Sequence, residues 1–162
     1  MAQTEPMKMV APMEVGIAVR DLDQMREFYT RVLGFEEIST VQVPSDKTAA
    51  SAMATDGATV VRVQTPYGER IKLLSAPSTN ATERPHWLLE RAGLAYLTFI
   101  VRDIAAEHRR LRAAGVQLMS DGPIENRPGL RVLFFRDPEG NTLELVEYAD
   151  LGSYRPDLAH GA

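Results

Sequence analysis

The chain of 162 residues contains no cysteine, which excludes a disulfide framework, a thiolate zinc site and a cysteine nucleophile. It has no long apolar run: nothing in it approaches the roughly 20 consecutive apolar residues of a membrane span. Met1 to Val10 has no basic stretch followed by an apolar one, so an export signal is not expected. Basic stripes are missing too, and with a net charge of -4 a nucleic-acid partner is not expected. These absences leave the expectation of a cytoplasmic protein with neither membrane nor nucleic acid as partner. The hydrophobic fraction of 44% and charged fraction of 25% are those of a globular protein, long enough for one domain or two small modules sharing a core.

The most informative stretch is Asp137-Pro-Glu-Gly-Asn-Thr-Leu-Glu-Leu-Val-Glu-Tyr148. Asp-Pro and Gly-Asn supply the fixed φ and the positive φ of a tight hairpin turn, and Thr142 to Tyr148 then alternates as a half-buried strand. Leu143, Leu145 and Glu147 point one way, so Glu144 points the other. Thr65-Pro-Tyr-Gly-Glu-Arg-Ile-Lys-Leu-Leu74 repeats the pattern, with Lys72 where Glu144 stands.

The rest of the chain repeats as well. Met13 to Val19 reads as a strand, and Asp21 or Asp23 caps a helix whose apolar stripe is Leu22, Met25, Phe28, Tyr29, Val32 and Leu33, stopped by Gly34. A strand from Phe35 to Val43, a Ser/Thr/Ala-rich loop or flap from Pro44 to Asp56, and the hairpin strands Ala58–Thr65 and Arg70–Ser75 complete a β-α-β-β-β unit. The second unit runs from a strand at Leu94–Val101 through a helix opened by Asp103 and closed by Gly115. It continues with a strand at Val116–Ser120, a polar loop over Asp121–Gly129 and the hairpin strands Leu130–Arg136 and Thr142–Tyr148. Val19-Arg-Asp-Leu22 matches Val101-Arg-Asp-Ile104 at an offset of 82, while the two hairpins match at 72. An internal duplication explains both, the difference lying in the longer 44–56 loop, where insertions are tolerated. The expected layout is an arm over 1–11, a first module over 12–75, a linker over 76–93 with a short helix at Glu83–Arg91, a second module over 94–148, and a tail over 149–162.

Gly16-Ile-Ala-Val-Arg-Asp-Leu-Asp23, Phe28-Tyr29, Leu33-Gly34-Phe35, the repeated unit and Phe135-Arg-Asp-Pro-Glu-Gly-Asn141 with Leu143-Glu-Leu145 together resemble the vicinal oxygen chelate superfamily. This is the glyoxalase, bleomycin-resistance and extradiol-dioxygenase group. The resemblance implies an α+β fold in which two paired β-α-β-β-β modules form a cupped, mostly antiparallel sheet, commonly as a homodimer. It further implies a divalent metal held by one residue on the first and one on the last strand of each module. Here those positions are Glu14, Lys72, Tyr96 and Glu144, and the duplication pairs them independently, since Glu14 and Tyr96 stand 82 apart and Lys72 and Glu144 stand 72 apart. Histidine is the family's usual residue at the first and third positions. A protonated lysine has no lone pair to offer, and phenol is a poor ligand for these metals. The three histidines fall elsewhere: His86 in the linker, His108 on the second helix and His160 in the tail. The expectation is therefore a site with no metal and no cofactor.

Three readings of the four residues remain open at this stage. In the first, an isomerase, epimerase or lyase moves a proton next to a carbonyl group of a small-molecule substrate. Glu144 is its base, and Lys72 and Tyr96 stabilise the developing oxyanion beside Glu14. Arg62, Gln64, Thr98 and Arg131, on neighbouring strands, are the candidates for orienting the substrate. In the second, the four form a satisfied ion-pair network; in the third, two carboxylates hold a cation weakly. A further alternative is a bleomycin-resistance type of binding protein, with Trp87, Tyr67, Tyr148 and Phe135 available for stacking on an aromatic ligand.

Overall fold

The computed structural model describes residues 7–160; the first six residues of the expected arm lie outside this range. The chain divides into two compact units, with the boundary between Ala81 and Thr82. The first contains β1 (Glu14–Ala18), α1 (Leu22–Glu27), β2 (Glu36–Val43), α2 (Ser45–Ala50), β3 (Ala58–Gln64) and β4 (Arg70–Ser75). Its sheet has the order β1-β4-β3-β2, with β1 parallel to β4 and the other pairs antiparallel. The second contains β5 (Leu97–Ile100), α3 (Ile104–Ala113), β6 (Gln117–Leu118), β7 (Ile124–Arg127), β8 (Leu130–Arg136), β9 (Thr142–Tyr148) and α4 (Leu151–Tyr154). Its order is β5-β9-β8-β6, with β7 also on β8, and only β5 and β9 run parallel. Both sheets are thus mostly antiparallel in an α+β architecture, and each module closes on itself by bringing its first strand beside its last.

The duplication extends to the atoms of the caps. Asp21 accepts from the Gln24 backbone N–H at 3.0 Å at the start of α1, and Asp103 accepts from that of Ala106 at 2.9 Å at the start of α3, each satisfying a donor that the first helical turn leaves open. The helices cover equivalent sheet faces. Met25, Phe28 and Tyr29 are buried in the first unit along with Ile17, Val61, Val63, Ile71 and Leu73; Ile104 and Leu111 are buried in the second with Leu133, Phe135, Leu143 and Leu145. Each such large apolar side chain contributes about 1.5–3 kcal/mol on burial. The helices differ in one respect: α1 runs on into a turn of π-helix at Phe28–Val32, where Leu33 N–H reaches Phe28 O at 3.0 Å.

Several expected boundaries shift, each for a physical reason. The 44–56 segment is not wholly loop but carries α2, which has no apolar period to announce it. It is anchored instead through Thr48, fully buried, whose hydroxyl accepts from Gly57 N–H at 3.2 Å. The polar 121–129 loop contains β7, an edge strand with every side chain exposed, so hydrophobic alternation could not mark it. The helix expected at 83–91 shrinks to a 3-10 turn at Leu88–Glu90, as Pro85 bars a regular helix around it. The tail holds α4, capped by Asp150 accepting from Ser153 N–H at 3.0 Å, and a 3-10 turn at Pro156–His160. The strand expected at Leu94–Val101 spans only Leu97–Ile100.

Both tight turns close as the repeat requires. Thr65 N–H reaches Glu69 O at 3.0 Å and Asp137 N–H reaches Asn141 O at 3.0 Å, with Gly68 at φ 94° and Gly140 at φ 82°, a region that glycine enters without a Cβ penalty. They differ in how they are braced. Asp137, 3% exposed, accepts from Glu139 N–H, Asn141 N–H and Asn141 Nδ2 at 3.0, 2.9 and 2.8 Å. The Thr65 hydroxyl accepts from Tyr67 N–H at 3.2 Å and donates to the Glu69 carboxylate in an exposed setting. Asp137→Ala is therefore expected to cost about 3 kcal/mol and Thr65→Ala less than about 1 kcal/mol, a contrast that urea denaturation of the two variants measures directly.

Candidate functional site

Cross-strand register decides which side chains share a face. In the first unit, Glu14, Arg70, Gln64 and Glu36 form one row across β1, β4, β3 and β2; Gly16, Lys72, Arg62 and Ser39 form the next. Both rows lie on the face opposite the buried Ile71, Leu73, Val61 and Val63, away from α1. Glu14 is held between two cations: Arg70 Nη1 stands 3.5 Å from its Oε1 and Lys72 Nζ 3.6 Å from its Oε2. Arg70 also donates from Nε to Gln64 Oε1 at 2.6 Å. Arg62 donates from Nη1 to Ser39 Oγ at 3.3 Å. Of the predicted residues, Glu14, Lys72, Arg62 and Gln64 thus come together on one face. Arg70 joins them unpredicted, although it could have been found two residues before Lys72 by the same alternation.

The second unit carries a different chemistry on its corresponding face. Glu144 on β9 stands opposite Phe134 on β8 and beside Thr98 on β5. Its carboxylate is 9% exposed and accepts from the Thr98 hydroxyl at 2.6 Å. Tyr96, 38% exposed, packs edge-on against Phe134 with ring centroids 5.1 Å apart, so it lies on the Glu144 side. Tyr148, four residues further along β9 and on the same face, stacks on Tyr154 of α4 with centroids 3.8 Å apart and planes at 13°. Burial first, then hydrogen bonding with Tyr154 and the negative charge of Glu144, pushes the Tyr148 phenol up to about 12, which keeps it neutral at any ordinary pH. No cationic side chain pairs with Glu144 among the described residues of this unit.

Arg131 is placed elsewhere. It pairs across the strands with Glu147, on the helix face of the sheet, and its guanidinium forms an ion pair with that carboxylate. The expectation that it orients a substrate is corrected here: 131 is odd in a register where the even positions of β8 share the Glu144 face. Glu147 also accepts from Ile104 N–H at 2.8 Å, so the pair braces the start of α3. Among the aromatic candidates, Phe135 is fully buried on the helix side, while Trp87 and Tyr67 are 67% and 85% exposed. His108 has a buried Nε2 with no hydrogen-bond partner in the structure and lies on α3 of the second unit.

The residues at the four family metal positions are a poor donor set for a divalent cation. In the first unit one of two is an ammonium, and both oxygens of the other already face cations; in the second, one is a phenol. Within either unit, no group of three or more histidine or carboxylate ligands forms among the described residues. No helix among them is long and apolar enough to cross a membrane.

With two such modules on the page, the family comparison is decisive: the model of the glyoxalase/bleomycin resistance protein/dioxygenase superfamily matches residues 11–145. The chain belongs to that superfamily. No individually curated protein matches alongside it. Solved structures of the superfamily are similar across nearly the whole chain. A glyoxalase family protein from Bacillus cereus is 21% identical with a TM-score of 0.72, covering 90% of this chain and 99% of its own. The trypanothione-dependent glyoxalase I of Leishmania major is 21% identical with a TM-score of 0.62, covering 90% and 91%. The fosfomycin resistance protein of Listeria monocytogenes, solved with Mn(II) and sulfate, is 18% identical with a TM-score of 0.55, covering 86% and 93%. At these identities the likeness is one of fold.

The Arg131–Glu147 pair gives a test of placement. The arginine's hydrogen bond first, and then the Ile104 N–H, hold the Glu147 carboxyl below its ordinary value of 4.5. A depressed carboxylate contributes stability that is present above pH 4.5 and lost as pH falls through the folded pKa. Arg131→Met is expected to lower stability modestly at pH 7, with the gap from wild type narrowing at pH 3. Denaturation at the two pH values measures this, and ligand affinity is expected to be unchanged.

Proposed function

We propose that this superfamily member is a metal-independent enzyme in which Glu144 removes a proton from the carbon next to a carbonyl group of a small molecule. The observation that carries the reading is the setting of Glu144: a buried carboxylate whose hydrogen-bond partner is a neutral hydroxyl, with no cation beside it in its unit. A carboxylate so placed keeps its lone pairs available to a carbon acid. Its pseudo-symmetric counterpart position holds Lys72, and Glu14, the other carboxylate, is occupied by Lys72 and Arg70. Glu144 is thus the better base of the two.

Thr98 fixes one carboxylate oxygen, leaving the other for the proton in flight. As the C–H bond breaks, its electron pair moves into the carbonyl and negative charge gathers on the carbonyl oxygen. Tyr96, partly exposed and packed against Phe134 on the Glu144 face of the sheet, is the group proposed to donate to that oxygen. Return of the proton to the other face or to the neighbouring carbon gives an epimer or an isomer, and loss of a β-substituent gives elimination. Membership of a superfamily whose name includes the glyoxalases supports a carbonyl substrate. The neutral Tyr148, stacked on Tyr154, supports an apolar wall near the base. The exposed Trp87, Leu89 and Leu94 support the pairing of two copies of the chain.

The measurement is loss of α-protons to solvent, followed by proton NMR in D2O over a panel of small keto and hydroxy acids. The wild-type chain should exchange at least one of them, and Glu144→Gln should slow that exchange by about 10²–10⁴-fold with the fold intact. The rate should survive dialysis against a chelator. Loss of the rate on chelation with recovery on adding Mn(II) would sink the metal-independent reading. Tight uptake of a ligand recovered unaltered would point to sequestration instead.

A further inference from the structure

Arg62 and Lys72 stand directly opposite each other on antiparallel strands. Like charges in that relation are destabilising. The hairpin keeps both, and only one of them is answered: Lys72 faces Glu14, whereas the Arg62 guanidinium has the neutral Ser39 hydroxyl as its partner. The two carboxylates of this face, Glu14 and Glu36, both lie in the neighbouring row, Glu14 beside Arg70 and Glu36 beside Gln64. The row itself therefore carries two positive charges and no negative one. Its ends are small. Ser39 closes it on β2, and on β1 the place beside Lys72 is Gly16, where an added Cβ would come within 3.0 Å of Leu74 Cδ1. Leu74 Cδ1 takes the space a side chain at Gly16 would fill, so the row ends there against an apolar group.

We infer that the Ser39–Arg62–Lys72–Gly16 row is a binding site for the oxyanion group of a small molecule, a carboxylate or phosphoryl group seated between the guanidinium and the ammonium. Arg62 supplies a fork of N–H donors suited to two oxygens, Lys72 supplies a point charge, and the Ser39 hydroxyl is a third donor at the edge. An anion there replaces the repulsion of the pair with two charge-assisted hydrogen bonds. The duplication sharpens the assignment, because the residues at an offset of 72 in the second unit are Phe134 and Glu144. One module has kept an apolar residue and a carboxylate where the other has two cations. The inference stands apart from any reaction at Glu144.

The test uses inorganic phosphate and acetate as probes, with sodium chloride at matched ionic strength as reference. In the wild-type chain phosphate or acetate should shift the Arg62 Nε–H resonance saturably, and chloride should not. Arg62→Met and Lys72→Met should each weaken the binding about tenfold or more, and Arg62→Lys should weaken it less than Arg62→Met. Arg109→Met, on the exposed side of α3, should leave it unchanged. A shift no larger than that given by chloride, or binding that persists undiminished in both Arg62→Met and Lys72→Met, overturns the proposal.

Discussion

The register of the two hairpins is the constraint on which everything else in this protein depends. A strand sends its side chains alternately to two faces, so a slip of one residue exchanges the helix-covered side of the sheet with the side that carries Glu144 or Lys72. The turns at Thr65–Glu69 and Asp137–Asn141 prevent that slip with the same pair of backbone hydrogen bonds and the same left-handed glycine. Once β3 is locked to β4 and β8 to β9, the parallel additions of β1 and β5 set the remaining members of each face. Glu14 then meets Arg70 and Lys72, and Thr98 meets Glu144.

On that shared scaffold the modules have diverged in charge. The first presents three cations, Arg62, Arg70 and Lys72, against the carboxylates of Glu14 and Glu36. The second presents a buried carboxylate among Tyr96, Phe134 and Tyr148. A duplicated protein can do this because the backbone pattern is maintained by one sheet face and by the caps, while the other face is free to change. Asp21 and Asp103 still do the same work, and Lys72 and Glu144 do not.

Much of the arrangement was legible in the sequence, and the parts that were not share a cause. The helix caps, the turns, the duplication and the common face of Glu14, Lys72, Arg62 and Gln64 all follow from spacing and alternation. The segments that escaped, α2 and β7, bury almost no side chains, so no hydrophobic period exists to betray them; their order comes from Thr48 and from pairing with β8. Arg131 was misplaced because parity along β8 is fixed only by knowing which residue faces Glu144, and that is Phe134. Arg70 shares the parity of Lys72 and so the same face, but it stands at none of the family's ligand positions.

The turn at Asp137–Asn141 also fixes where one module ends and the other begins. Arg136 donates to Gly140 O at 2.7 Å and to Pro85 O at 2.9 Å, and Arg84 donates to Asn141 Oδ1 at 2.7 Å. The segment that reads as a linker is thereby stitched to the second hairpin by two side-chain bonds, those of Arg136 to Pro85 O and of Arg84 to Asn141, and belongs to that unit. The seam of the molecule runs ahead of Arg84, well before the repeat becomes visible at Leu94. A recombination event or an engineered cut that respects the sequence repeat alone would tear the second module's turn from its own support.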